Sequence, residues 1–99
     1  MGIRILYISE IVGKAGIWCV KNALPVLKRA EAPDLVIANA DGATGSFGLG
    51  RQHAGYFRKM GIDVITGGEC IYYKKDLVEG LDSLPYVVRP ANYPAESPG

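Results

Sequence analysis

Asp34-Leu35-Val36-Ile37-Ala38, followed by Asn39-Ala40-Asp41-Gly42-Ala43-Thr44-Gly45-Ser46-Phe47-Gly48-Leu49-Gly50 and then by Arg51 to Met60, is where the fold declares itself. Four apolar residues run without alternation behind Asp34, as expected of a strand covered on both faces in a parallel sheet. Four glycines then make a loop, and the ten residues from Arg51 carry a helical pattern. A strand, a loop at its carboxyl end and a helix form half of a βαβ unit.

The same plan appears on both sides. Ile3-Arg4-Ile5-Leu6-Tyr7-Ile8 reads as a buried strand, and Gly13-Lys14-Ala15-Gly16 turns the chain into a helix. There Trp18, Leu24 and Leu27, with Val20 and Val26, recur at three- and four-residue steps, so one side can pack on a sheet. Pro25 is expected to kink or shorten this helix, because it lacks a backbone donor. Downstream, Asp63-Val64-Ile65-Thr66 is a strand, Gly67 to Tyr73 a loop and Lys74 to Leu81 a helix. Tyr86-Val87-Val88 is the last strand. Residues 89–99 carry Pro90, Pro94 and Pro98 and form an irregular Pro-rich tail. The expectation is one α/β domain over residues 1–99, with a parallel sheet of about four strands joined by right-handed βαβ crossovers.

Composition narrows the function classes. The chain has 99 residues, enough for one core, and 11 Lys+Arg against 10 Asp+Glu. The charges are scattered, so nothing suggests DNA binding or an anionic membrane surface. No apolar run approaches the ~20 residues of a membrane span, and no signal-peptide pattern opens the chain. Cys19 and Cys70 are too few for a disulfide framework and lack zinc spacing, which points to free thiols and a cytoplasmic setting.

In parallel α/β sheets, ligands bind beyond the strands' carboxyl ends. Those ends hold Ser9 and Glu10, Asn39 and Asp41, Glu69 and Cys70, and Arg89 and Asn92. Gly45 to Gly50 has the G-x-x-x-x-G frame of a phosphate loop, but Arg51-Gln52 stands where Lys and Ser/Thr are required, so a flexible rim loop is expected instead. Gly13 to Gly16 is a weaker anion cradle of the same kind. Glu10, Asp41 and Glu69 place carboxylates on three successive loops. They suit a hard cation such as Mg²⁺ or Mn²⁺, or else cap helices and face water. His53, the sole histidine, is read as a helix-face residue, and Ser9 and Ser46 have no histidine to activate them.

These loops resemble the YmdB-like metallophosphoesterases, which act as cyclic-nucleotide phosphodiesterases. Arg4 to Gly13 resembles the family's opening strand and its Gly-Asp-Val-Val-Gly turn. Asn39-Ala40-Asp41-Gly42 resembles Asn-Gly-Glu-Asn, and Gly68-Glu69-Cys70 lies over Gly-Asn-His. Arg89-Pro90-Ala91-Asn92-Tyr93-Pro94 matches Arg-Pro-Ala-Asn-aromatic-Pro, with Lys74-Lys75 supporting the register.

The resemblance implies a divalent metal (Mn, Mg or Fe) on Glu10, Asp41 and Glu69, a catalytic role for the residue at Cys70, and phosphate or nucleotide binding by Asn39, Arg89 and Asn92. It also exposes departures. Glu10 stands for the family's Asp, Asp41 for its bridging Glu, Gly42 and Glu69 for two Asn ligands, and Cys70 for its His. Adding a methylene moves a carboxylate by over ~1 Å, where metal distances tolerate about 0.2 Å. A thiol is also a poorer general acid–base than imidazole, a role worth roughly 10²–10⁴ in rate. The family's remaining histidine ligands come from a C-terminal half outside this chain. The expectation is therefore a truncated phosphodiesterase relative with a degenerate site and little hydrolase activity of its own. The alternatives are an assembly or regulatory module without catalysis, and an active phosphodiesterase with a rewritten metal site. Val64, Ile65, Val87 and Val88 are positions that a two-sided sheet would bury, so a homo-oligomer is expected.

Overall fold

The computed structural model describes residues 2–99. Four parallel strands, β1 (Ile5–Ile8), β2 (Leu35–Asn39), β3 (Val64–Thr66) and β4 (Val87–Val88), lie side by side in chain order. Helices α1 (Gly13–Glu31), α2 (Arg51–Met60) and α3 (Lys75–Gly80) form the crossovers, and a 3-10 turn at Leu81–Ser83 extends α3. The register pairs Ile5 with Leu35, Ile37 with Val64, and Ile65 with Val87. Aspartates before β2 and β3 tie each strand to its predecessor: Asp34 Oδ2 accepts the Arg4 N–H at 2.8 Å, and Asp63 Oδ2 accepts the Val36 N–H at 2.8 Å.

The strand order settles which face is covered. Right-handed crossovers that all step in the same direction put every helix on one side of the sheet. The side chains obey this. Leu6, Ile8, Val36, Ala38, Ile65 and Val87 belong to the core or pack against it, together with Val20 and Leu24 of α1, Ala54 and Phe57 of α2, and Leu77 of α3. The alternate residues point to the other face, as strand geometry requires. There Ile5 and Tyr7 are 54% and 56% exposed, Val88 is exposed, and Leu35, Ile37 and Val64 are only half-buried. The molecule measures 38 × 33 × 20 Å, and its short axis matches two layers, one of helices and one of sheet. The expectation that β1 is a buried strand is therefore corrected: β1 is an edge strand with one face uncovered.

Helix α1 corrects two further expectations. It runs 19 residues without a break at Pro25, so the proline does not shorten it. Pro25 cannot donate to the carbonyl of Lys21, but both residues lie on the exposed side, where water can take the freed acceptor. Only Val20 and Leu24 of the proposed apolar side are buried, whereas Trp18 is 66% exposed and Val26 is exposed too. A single helix over an edge strand meets the sheet along one narrow line. Leu27 borders an apolar groove of about 140 Å³ with Ile8, Cys19, Val20, Ala23 and Leu24.

Candidate functional site

The loops after β1, β2 and β3 are drawn together by backbone contacts beyond the strands. Ile11 N–H donates to Asn39 O at 2.9 Å and Gly13 N–H to Gly42 O at 2.9 Å, which carries the β1–β2 pairing past the sheet's end. Asp41 then joins the second loop to the third. Its side chain is 9% exposed. Oδ1 accepts the Gly68 N–H at 2.7 Å, and Oδ2 accepts the Cys70 N–H at 3.0 Å. Asn39 braces it, its Oδ1 accepting the Asp41 N–H at 3.0 Å. A Cβ on Gly68 would lie 2.7 Å from Asp41 Oδ2, so only glycine allows this approach.

Glu10 comes to the same place from the first loop. A Cβ built on Gly42 would stand 2.9 Å from Glu10 Oε2. The longer acid at position 10 and the missing side chain at position 42 thus share one space. Along the sequence the two departures look unrelated, because the pair meets only in three dimensions.

Cys70 lies partly exposed beside these acids. Its thiol is held above its ordinary pKa, first by burial, then by the Asp41 and Glu69 carboxylates and to a smaller extent by Glu10, while a hydrogen bond involving Tyr73 acts the other way. Glu10, Asp41, Glu69 and Cys70 are therefore electrostatic neighbours. They do not make a coordination cluster: among the described residues, no three His, Cys, Asp or Glu side chains are grouped to hold an ion. Each oxygen of Asp41 accepts one backbone amide. Glu10 and Glu69 are exposed, and Gly42 offers no donor. As arranged, this donor set does not fit the divalent metal that the resemblance implies.

The glycine-rich loop is packed rather than merely a rim. Residues 41–43 and 48–50 are buried and only 45–47 are exposed. Gly48, at φ +83°, sits where a Cβ would be 3.0 Å from Cys70 O and 3.1 Å from Tyr73 Cβ. Thr44 N–H donates to Gly48 O, and Thr44 Oγ1 accepts the Gly50 N–H at 2.7 Å. The same hydroxyl lies 2.7 Å from His53 Nδ1, so His53 is a helix-face residue that steadies the loop.

Arg89 is engaged by the tail that follows it, which touches the third loop where the Tyr93 hydroxyl donates to Gly68 O at 3.4 Å. Its Nε donates to Ser97 O at 3.4 Å, one terminal nitrogen to Pro90 O at 3.2 Å and the other to Ala95 O at 3.3 Å. Its fork of donors folds the Pro-rich tail onto itself. Tyr93 then packs on Tyr72, whose hydroxyl donates to Pro98 O at 2.7 Å. Asn92 is exposed on this tail. The aromatic position of the Arg-Pro-Ala-Asn-Tyr-Pro stretch is thus a packing residue, a role that the motif alone did not reveal.

A one-sided parallel α/β sheet with acids and glycine turns meeting at its carboxyl end is a framework that holds ligands beyond its strand ends. Comparison with known proteins agrees. The family model described as YmdB-like protein matches residues 6–99, and the chain belongs to that family. It is 36% identical over 96 residues to the 2',3'-cyclic-nucleotide 2'-phosphodiesterase of Bacillus subtilis, covering 97% of this chain and 36% of that protein. Among solved structures, a hypothetical protein from Thermus thermophilus superposes with a TM-score of 0.88 at 34% identity, over 98% of this chain and 37% of the other. A novel phosphatase from Mycoplasma pneumoniae gives 0.87 at 32% identity, over 93% and 33%. The chain spans about a third of the length of these relatives. Among the described residues, no helix is long and apolar enough to cross a membrane.

Proposed function

We propose that this chain is a phosphate-ester-binding relative of the phosphodiesterases that hydrolyses little or nothing by itself. The observation that carries this reading is the double hydrogen bond from the Gly68 and Cys70 amides to Asp41. It spends on backbone donors the carboxylate that a phosphoesterase of this kind would give to metal, while it keeps the second and third strand-end loops joined. Glu10 and Glu69 remain outside that clamp, so a divalent ion (Mn, Mg or Fe) binds weakly. Cys70, kept protonated by its surroundings, does not supply the base. The ligand is a phosphate or nucleotide. The test is hydrolysis of bis-p-nitrophenyl phosphate with Mn²⁺, expected to match buffer alone. A metal-dependent rate that vanishes in Glu10→Ala would replace this reading with an active enzyme built on a rewritten site.

A second reading, homo-oligomeric assembly, is favoured by the helix-free face of the sheet. Ile5, Tyr7, Leu35, Ile37, Val64 and Val88 make a plane with no charged side chain. Contiguous apolar patches of a few hundred Å² are uncommon on soluble monomers, and a two-fold contact between copies is the usual way to cover one. Light scattering tests this: a mass near that of one chain at all micromolar concentrations would exclude it.

A further inference from the structure

A phosphate ester brought to the strand-end loops meets Glu10, Asp41 and Glu69, three carboxylates and no compensating cation among them. An anion cannot rest there unless a positive group is close. Arg89 is occupied by the tail carbonyls, Lys75 pairs with Glu79, Arg58 with Asp63 and Arg4 with Glu31. Lys74 is different. Its side chain is half-buried, with Cγ 3.4 Å from a Cβ built on Gly48, and Nζ reaches 3.9 Å from one built on Gly45. Among the described residues, the ammonium makes no ion pair.

The tip of the glycine-rich loop faces the same space. Gly45 and Ser46 have φ of +64° and +71°, and their amide N–H groups donate to no other backbone group among the described residues. Ser46 also approaches the first loop, with Oγ 3.4 Å from a Cβ on Gly13, and its carbonyl oxygen is 3.4 Å from one on Gly42, beside Glu10. One packed cation, two amides without a backbone acceptor and a hydroxyl therefore stand beside the loops that carry Glu10 and Gly42.

We infer that Lys74 Nζ, with the Gly45 and Ser46 amides, forms the subsite that holds the phosphoryl oxygens of the ligand. It rests on the phosphate-binding reading and assigns that binding to residues on the glycine-loop side instead of Arg89 and Asn92. The lysine acts as a point charge on a packed stem and the amides give direction, so an arginine at position 74 keeps the charge while a methionine removes it.

The test is a titration of the metal-free 99-residue chain with inorganic phosphate, followed by amide NMR. The Gly45 and Ser46 amides are expected to shift most. Lys74→Met is expected to raise the dissociation constant by about fivefold or more, Lys74→Arg to stay within about twofold, and Lys75→Met to change nothing. Unshifted amides outside the site establish that each variant is folded. If the wild-type chain binds phosphate and Lys74→Met binds it equally well, this subsite is wrong and the phosphate reading stands. If the wild-type chain shows no saturable binding, both fall.

Discussion

Replacing Asp41 by alanine should destabilise the chain severely even with all metal removed. The carboxylate is buried and accepts the Gly68 and Cys70 amides at 2.7 and 3.0 Å. Hydrogen bonds to a charged group each contribute about 1.5–3 kcal/mol, and an amide left without a partner in a buried site costs about 1–3 kcal/mol. Both amides are only partly shielded, so water recovers some of the loss and a net cost of about 2–5 kcal/mol is expected. For a domain of this size that lowers Tm by roughly 4–8 °C per kcal/mol. Glu10→Ala and Glu69→Ala remove exposed acids and should stay within about 0.5 kcal/mol of the parent. The assay is urea unfolding in EDTA, comparing midpoints at constant m-value. If Asp41→Ala matches the two exposed-acid variants, the clamp does not exist, and the reason for withholding Asp41 from metal collapses with it.

Arg89→Ala should cost about 1–2 kcal/mol by freeing three tail carbonyls, with Arg89→Lys failing to restore it because one ammonium cannot reach all three; thermal melts decide this. Ile37→Glu puts a charge in the middle of the helix-free face. The face measures about 20 × 13 Å from strand spacing and rise, so any dimer it supports is weak, and Ile37→Glu should abolish concentration-dependent mass in light scattering while leaving circular dichroism unchanged. Cys70, whose thiol pKa is raised, should be alkylated by iodoacetamide with an inflection at higher pH than a free cysteine derivative, measured in a Cys19→Ser background. An inflection at or below that of the free thiol would show that the neighbouring acids do not act on it.

Much of the architecture was legible along the chain. Uninterrupted apolar runs behind Asp34 and Asp63, glycine-rich turns at their carboxyl ends and the helical stretch from Arg51 to Met60 required parallel strands with crossovers, because local periodicity and turn chemistry carry that information. The same placement put Glu10, Asp41, Glu69 and Cys70 at the strand ends, and the Arg-Pro-Ala-Asn-Tyr-Pro stretch carried the family. Three matters could not be read there. Which face of the sheet stays bare follows from strand order, a property of the whole chain that leaves Ile5 and Ile37 as apolar in sequence as Ile65. Whether Asp41 serves a ligand or the backbone depends on where the Gly68 and Cys70 amides point, 27 and 29 residues away. That Glu10 fills the room left at Gly42 depends on a contact between separate loops, and no spacing rule reaches so far. Residue types were set by the sequence alone, whereas their partners were decided by a tertiary fold that brings distant loops to one edge.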